Sequence, residues 1–339
     1  MAATVHVKRR LTNISIHFPH EFTSIGDEFF PSQPSEHLTD QFAVWNKANL
    51  LAMGEFSPLG DDDQPQDLEL KQDADISYSC KVFGIQSPGK WITERNADPS
   101  LDYETERTIQ LTTSLRLRLE YLRVNQRLRN TALMQNSTLA AGARFDNYAS
   151  GTSLPISAMR NIVNQLGYAN QGRKPNKIAM STYTLMAIVQ STQFKDLTKY
   201  TSIQVMDDGD NAALRAQVES LIGVKKGAIK IADAVYNVAA LGQTPVYTTF
   251  IGPDIVFGYV EALGIRKYSL SAGFQWSGYS NDPQAIIAVP RYQGTMLPVE
   301  DLRAFTVIDP KIIVPELGFL LKGAIDGTDS ASYQSLVAY

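Results

Sequence analysis

The 339-residue chain has little of what most enzymes and secreted proteins depend on. Its single cysteine, Cys80, excludes a disulfide framework and fits a reducing compartment. All four histidines precede residue 38, so a catalytic triad would have to take its base from the N-terminal segment. No stretch approaches about 18 uninterrupted apolar residues, which argues against a membrane-spanning helix. The first residues also lack the apolar region of a secretory signal.

Charge and recognisable chemical motifs are scarce as well. Charged residues make up 19% of the chain, and 31 basic against 35 acidic residues give a formal net charge of −4, which argues against nucleic-acid binding driven by bulk charge. Phosphate-binding glycine loops and nucleophile-elbow motifs are missing. The acidic run 207–211 hints at a calcium loop, but Ala213 replaces the required glycine, so a polar turn is favoured. We expect no catalytic site, metal or cofactor.

What the sequence does have is one long segment without glycine or proline, residues 100–134, directly after Pro99. It predicts a single helix of roughly 50 Å. Its apolar side chains fall on two faces. One face carries Leu111, Leu115, Leu119, Leu122 and Leu133, and the other carries Leu117, Tyr121, Val124, Leu128 and Ala132. Either the helix is buried in one large core, or it packs on its own domain and on a neighbouring subunit.

The remaining sequence divides into segments of different character. Residues 1–53, rich in proline, histidine and aromatic residues, predict an extended arm. Residues 54–97 predict a long β-hairpin, in which the alternating run Ile76–Ile85 forms one strand and residues 68–71 its candidate partner. Residues 98–206 predict a compact domain with the long helix, residues 207–284 a second domain after a polar break, and residues 285–339 a return to the first.

Short segments along most of the chain, in their order, resemble the major capsid proteins of tailed phages, the Hong Kong 97-like family. Each segment is weak evidence alone, and their order makes the resemblance specific. They are Pro175–Met180 followed by Phe194–Tyr200, then Leu221–Val224, Ile229–Asn237, Gly252–Tyr259, Ser271–Trp276, Val289–Tyr292 and Lys311–Leu321. The resemblance implies an α+β capsid fold with an N-terminal arm, an extended hairpin loop, a spine helix, a peripheral domain and an axial domain.

The resemblance also implies a function. The chain would be a non-enzymatic coat protein, assembled in the host bacterial cytoplasm as hexamers and pentamers into a virion shell around double-stranded DNA, which it contacts weakly and non-specifically. Its expected partners are further copies of itself, a separate scaffolding protein, a portal protein and, in some shells, a decoration protein, with no membrane. Two alternatives remain: an encapsulin-like compartment, which differs in its cargo, and a soluble α/β enzyme, against which the histidine distribution weighs.

Within that interpretation, three groups of residues are predicted to contact neighbouring subunits. The loop contributes Asp73, Asp75, Ile76, Tyr78, Val82, Phe83 and Trp91, the spine helix contributes Arg116, Arg123 and Arg127, and the arm contributes Phe29, Phe30 and Trp45. The loop would lie over a neighbour's spine helix, with its carboxylates facing the arginines. Exposed ion pairs contribute only about 0–1 kcal/mol each, so the apolar contacts should dominate. Replacing the three arginines together is expected to impair assembly more than folding.

Overall fold

The computed structural model describes residues 24–45, 72–87, 103–148, 151–170, 172–199, 211–239, 243–261, 268–278, 287–288 and 302–326. The helices are α1 (Ile25–Phe29), α2 (Tyr103–Arg123), α3 (Pro155–Ala169), α4 (Thr182–Gln190), α5 (Thr192–Thr198) and α6 (Asn211–Ile222). The strands are β1 (Ser32–Ser35), β2 (Thr39–Trp45), β3 (Gln72–Ser79), β4 (Lys81–Ser87), β5 (Gln135–Thr138), β6 (Lys177–Met180), β7 (Ile229–Ile231), β8 (Val235–Asn237), β9 (Tyr247–Thr249), β10 (Ile255–Gly258), β11 (Ser271–Trp276), β12 (Ile287–Ala288), β13 (Leu302–Ile312) and β14 (Gly318–Lys322). Across these ranges, no helix has the length and apolar character needed to cross a membrane.

The long helix α2, here called the spine helix, is shorter than predicted. It continues through a π-helical segment, Val124–Leu128, and then ends, so the helical run spans roughly 40 Å. The end is set by Asn130, whose side-chain oxygen accepts a hydrogen bond from the Ala132 N–H at 3.0 Å and forms a local turn. The prediction of helix up to residue 134 is therefore wrong, and residues 100–102 lie outside the described residues.

Both apolar stripes of the spine helix pack within the same chain. Leu111, Leu115 and Leu119 are buried against β13, in a cluster that also contains Phe83 and Ile85 of β4. Val124 and Leu128 are buried in a separate cluster, against which Leu117 and Tyr121 pack. The second stripe therefore does not need a neighbouring subunit, and the structure favours the first of the two interpretations.

The first sheet, on which the spine helix packs, has the order β1-β11-β13-β12, with β4 also paired to β13. Strand β4 runs antiparallel to β13 from Lys81–Ile308 to Ser87–Leu302, whereas β3 pairs with β2. The predicted single strand Ile76–Ile85 is thus two strands with different partners. The break lies at Cys80, which is buried and donates its N–H to the Leu38 carbonyl at 2.8 Å.

The predicted hairpin is formed differently from the expectation. Strands β2 and β3 form a two-stranded antiparallel ribbon, here called the ribbon, so one of its strands comes from the segment predicted as the arm. The partner predicted from sequence, residues 68–71, lies outside the described residues. The boundary between arm and loop at residue 53 therefore falls in the connection between the two ribbon strands.

The second sheet has the order β5-β14-β10-β6-β7 and is covered by helices α3 to α6. Strand β6 precedes the predicted domain boundary at residue 207, yet it pairs with β7 and β10, which follow it. Helices α3, α4 and α6 also share one hydrophobic cluster. The polar break at which the sequence predicts a division thus separates two helices that pack on the same sheet.

An ion pair ties the end of the spine helix to the second sheet. The Arg129 guanidinium lies 2.9 Å from the Asp254 carboxylate and donates to the Phe250 carbonyl at 3.1 Å. Asp254 also accepts the N–H of Gly323 at 3.1 Å, just beyond β14. The helix and the two strands are consequently fixed to each other at this point.

Candidate inter-subunit surface

Residues 24–30, here called the arm anchor, attach the N-terminal segment to the spine helix through one buried carboxylate. Glu120 lies within the spine helix and is almost fully buried. Its side-chain oxygens accept hydrogen bonds from the Ile25 N–H at 2.8 Å, the Gly26 N–H at 3.0 Å and the Ser24 hydroxyl at 2.7 Å. A carboxylate is well placed there, because the first N–H groups of a helix lack partners within it.

The backbone of the arm anchor approaches the spine helix so closely that only glycine fits at one position. A Cβ atom at residue 26 would lie 2.6 Å from Arg123 Cδ and 2.6 Å from the Glu120 carboxylate. Gly26 therefore permits the hydrogen bonds to Glu120, and any larger residue would push the anchor away from the helix.

Ion pairs fix the two sides of the arm anchor. Asp27 pairs with Arg123 of the spine helix. Glu28 pairs with Lys177 of β6 and with Lys230 of β7, the latter at 3.0 Å. The anchor thus bridges the spine helix and the second sheet.

The two buried or half-buried carboxylates of this region have pKa values shifted in opposite directions. Burial raises the pKa of Glu120, only partly offset by its hydrogen bonds to Ser24 and the anchor backbone and by the charge of Arg123. Burial also acts to raise the pKa of Glu28, but the hydrogen bonds and charges of Lys177 and Lys230 outweigh it and lower the value. The surroundings of Glu28 therefore favour its charged form, whereas burial disfavours the charged form of Glu120.

The structure places the arm aromatics within the chain itself. Phe29 and Phe30 are fully buried in the cluster that also holds Val124, Leu128 and Leu270. Both side chains are buried in their own chain, whereas the sequence predicts a clamp on a neighbour. Trp45 is a ribbon residue in β2 whose side chain lies outside the described residues.

Three of the seven predicted loop residues pack within the chain itself. The Tyr78 ring stacks on Phe274 with centroids 4.4 Å apart, and Ile76 packs on the same cluster. Phe83 packs on the chain's own spine helix rather than on a neighbour's. Val82 is 67% exposed and remains available for an inter-subunit contact. Asp73 and Asp75 belong to β3, but their side chains are not among those described. Trp91 lies outside the described residues.

The three spine-helix arginines separate into two kinds. Arg123 pairs with Asp27, and Arg127 lies 3.4 Å from Asp309 of β13, so both have carboxylate partners in the same chain. Arg116 is half-buried, and in the described part of the chain no carboxylate lies within ion-pair distance of it. Burial lowers the pKa of Arg116, and the nearby Arg123 adds to this while Asp27 opposes it. Arg116 is therefore the one of the three still suited to a carboxylate from another subunit.

Asp309 fixes the base of the ribbon, a role that the sequence did not indicate. Its carboxylate accepts the Ser79 N–H at 2.9 Å at the end of β3 and also contacts Arg127. Lys311 donates to the Ser77 carbonyl from the same strand. Glu120 and Asp309 were both missed because a single acidic residue in a helix or strand pattern carries no signal of its partner.

Replacing Arg116 by glutamine should leave the isolated subunit stable and impair assembly. Its free energy of unfolding should change by less than about 0.5 kcal/mol, because no described ion pair is lost. Shell yield on a sucrose gradient should fall several-fold. The matched control is Arg118→Gln, at an exposed position on the same helix. Equal shell yields from the two variants would contradict a role for Arg116 between subunits.

Comparisons with known proteins identify solved structures that resemble this fold. No family model matches the chain, and no curated protein matches it in sequence. Among solved structures, a phage-related protein from Bordetella bronchiseptica RB50 superposes with a TM-score of 0.67 at 17% identity, covering 95% of this chain and 98% of that one. The capsid of cyanophage P-SCSP1u gives 0.54 at 10% identity, over 91% and 93%. The mature capsid of bacteriophage PhiM1 gives 0.52 at 11% identity, over 90% and 88%.

These structures match the chain over nearly their whole lengths. At identities this low, the likeness establishes the fold and leaves the function to be argued separately. The α+β architecture predicted from the order of weak motifs is confirmed. The chain has the fold of tailed-phage capsid proteins.

Proposed function

We propose that this chain is the major capsid protein of a tailed phage, a structural subunit that assembles with further copies of itself into a closed shell. The observation that carries the proposal is the likeness to capsid chains along nearly the whole of both molecules.

The ribbon gives the proposal independent physical support. An isolated two-stranded ribbon is marginally stable in water, because it has one pair of strands and no second layer. The ribbon is fixed at one end by Asp309 and Lys311, and its strands are joined by residues 46–71. This connection carries six acidic and two basic residues, so it accounts for a net charge of −4, equal to that of the whole chain. Ile76 and Tyr78 support the ribbon near its fixed end, and a neighbouring subunit would support the rest.

The proposal includes the environment in which such a subunit works. It would form hexamers and pentamers on a separate scaffolding protein in the host bacterial cytoplasm, and the shell would then join a portal protein and enclose double-stranded DNA. A net charge of −4 predicts weak, non-specific contact with that DNA. A decoration protein on the outer surface would be optional.

The chain is proposed to have no catalytic role. A cleft of about 1080 Å³ lies between the arm anchor and the loops beside the second sheet, lined by residues that include Glu28, Arg173, Lys174 and Tyr259. Among its lining residues in the described ranges, Glu28 is the group with a shifted pKa. The two lysines that hold the anchor explain that shift. The cleft is therefore better understood as a product of anchor docking than as an active site.

The contents of the assembled particle test this proposal. Material that co-sediments with the chain in lysates of phage-producing cells should contain double-stranded DNA protected from added nuclease. Detergent-free disruption of the particles should make that DNA sensitive. Particles that instead enclose a folded protein cargo and no nucleic acid would overturn the proposal in favour of an encapsulin-like compartment.

A further inference from the structure

The hairpin formed by β8 and β9, here called the uncharged hairpin (residues 235–239 and 243–249), stands out by its composition. Residues 234–253 contain no Asp, Glu, Lys, Arg or His, although 19% of the whole chain is charged. Exposed turns are ordinarily polar and often charged, because polar and charged side chains interact favourably with water and apolar side chains do not. Within this uncharged stretch, Val235, Val238, Val246 and Tyr247 are exposed, which indicates a surface that does not stay in water.

The base of the uncharged hairpin is held rigidly on the spine helix. The Tyr236 ring stacks on Phe250 with centroids 4.6 Å apart and meets Tyr121 edge-on at 5.5 Å. Its hydroxyl accepts a hydrogen bond from the Asn125 side chain at 3.1 Å. Two aromatic contacts and a hydrogen bond fix where the rest of the hairpin points.

Beyond that base, the uncharged hairpin exposes apolar side chains on both faces. The register pairs Tyr236 with Thr248 and Asn237 with Tyr247, and the Val238 N–H donates to the Val246 carbonyl at 2.8 Å. Val238 and Val246 consequently share a face with Tyr236, whereas Val235 and Tyr247 lie on the other. All four side chains are between 43% and 59% exposed. The hairpin therefore extends past the surface on which Tyr236 packs.

We propose that the uncharged hairpin is an interface element that a second copy of this chain covers in the assembled shell. This inference rests on the proposed function, because it assumes that the chain self-assembles. A second copy is favoured since every subunit of a shell presents the same surfaces, and a charge at a contact between copies would be buried many times over. Because the hairpin has apolar side chains on both faces, it can insert against a neighbouring copy. That contact would remove these side chains from water.

A pair of substitutions at Val238 tests this surface. Val238→Asp should reduce shell yield at least tenfold, because each contact would bury an unpaired charge. Val238→Thr has nearly the same shape without a charge and should keep shell yield within about twofold. Because Val238 is exposed, both variants should melt like the wild-type subunit. Wild-type shell yield from Val238→Asp would overturn the inference.

Thiol labelling provides the direct readout. The native Cys80 is buried, so Val238→Cys introduces one reactive thiol into an otherwise unreactive subunit. A maleimide should label it rapidly in unassembled subunits and at least tenfold more slowly in intact shells. Equal labelling in shells would mean that the hairpin faces solvent, and would overturn the inference. Absence of shells from wild-type protein would instead count against the proposed function.

Discussion

Replacing Phe29 by alanine should lower the free energy of unfolding by about 3–5 kcal/mol, the range for truncating a fully buried phenylalanine. Phe29 is completely buried between the spine-helix end and β10. A Cβ atom at Gly258 of β10 would lie 2.9 Å from the Phe29 ring and 2.7 Å from Leu270. The ring thus fills a space shaped for it, and the surrounding strands cannot close the cavity without moving the sheet.

Denaturant unfolding of the isolated subunit measures this effect. The matched control is Tyr168→Ala, because Tyr168 is 95% exposed, and its loss should change stability by less than about 0.5 kcal/mol. A Phe29→Ala variant as stable as the Tyr168→Ala variant would show that the arm anchor is not part of the subunit core. The arm would then dock on something other than its own chain.

Replacing Glu120 by alanine should destabilise the subunit by about 2–4 kcal/mol, the second largest expected effect. The N–H groups of Ile25 and Gly26 would lose their acceptor, and each buried donor left without a partner costs roughly 1–3 kcal/mol. Proteolysis within residues 1–23 or at the anchor should accelerate, because the anchor would leave the spine helix more often. Unchanged stability and proteolysis would contradict the anchoring role of Glu120.

Glu120 should also make the subunit less stable as the pH rises. Its pKa is raised above the ordinary 4.5, so the folded state binds its proton more tightly than the unfolded state does. The stability from this shift is fully present below pH 4.5 and is lost as the pH rises through the folded-state pKa. Glu28, whose pKa is lowered, loses its contribution only on acidification and does not interfere above that range.

The variant Glu120→Gln isolates this contribution. The amide keeps an oxygen acceptor for the anchor N–H groups and does not titrate. As the pH rises above 4.5, melting temperatures should fall more steeply for the wild type than for Glu120→Gln. Parallel curves for the two proteins would show that Glu120 does not titrate in this range.

Much of the fold could be predicted because it depends on local pattern and on the order of elements. The sequence of the spine helix has no helix breaker and two clear apolar stripes. Both stripes are buried in the structure, as such patterns of leucine and valine usually are. The capsid fold followed from the order of weak motifs. The alternating run at residues 76–85 correctly indicated strand, but a period-two pattern does not reveal which strand lies beside it.

What could not be predicted was whether a contact lies within a chain or between chains. Phe29 and Phe30 beside prolines look the same in sequence whether they fill their own core or a neighbour's. Arg123 and Arg127 likewise give no sign that Asp27 and Asp309 hold them, because those carboxylates are distant in sequence. A polar break such as residues 207–211 suggests a domain boundary equally well whether or not the flanking helices share a sheet.

Negative-stain electron microscopy of the chain co-expressed with the scaffolding protein that we propose for it tests the central claim most directly. The account predicts closed shells of uniform diameter with the chain as their main component. It predicts the same shells, in lower yield, from Arg116→Gln. Only monomers and small irregular oligomers, with a functional scaffolding protein present, would contradict the claim that this chain is a shell subunit.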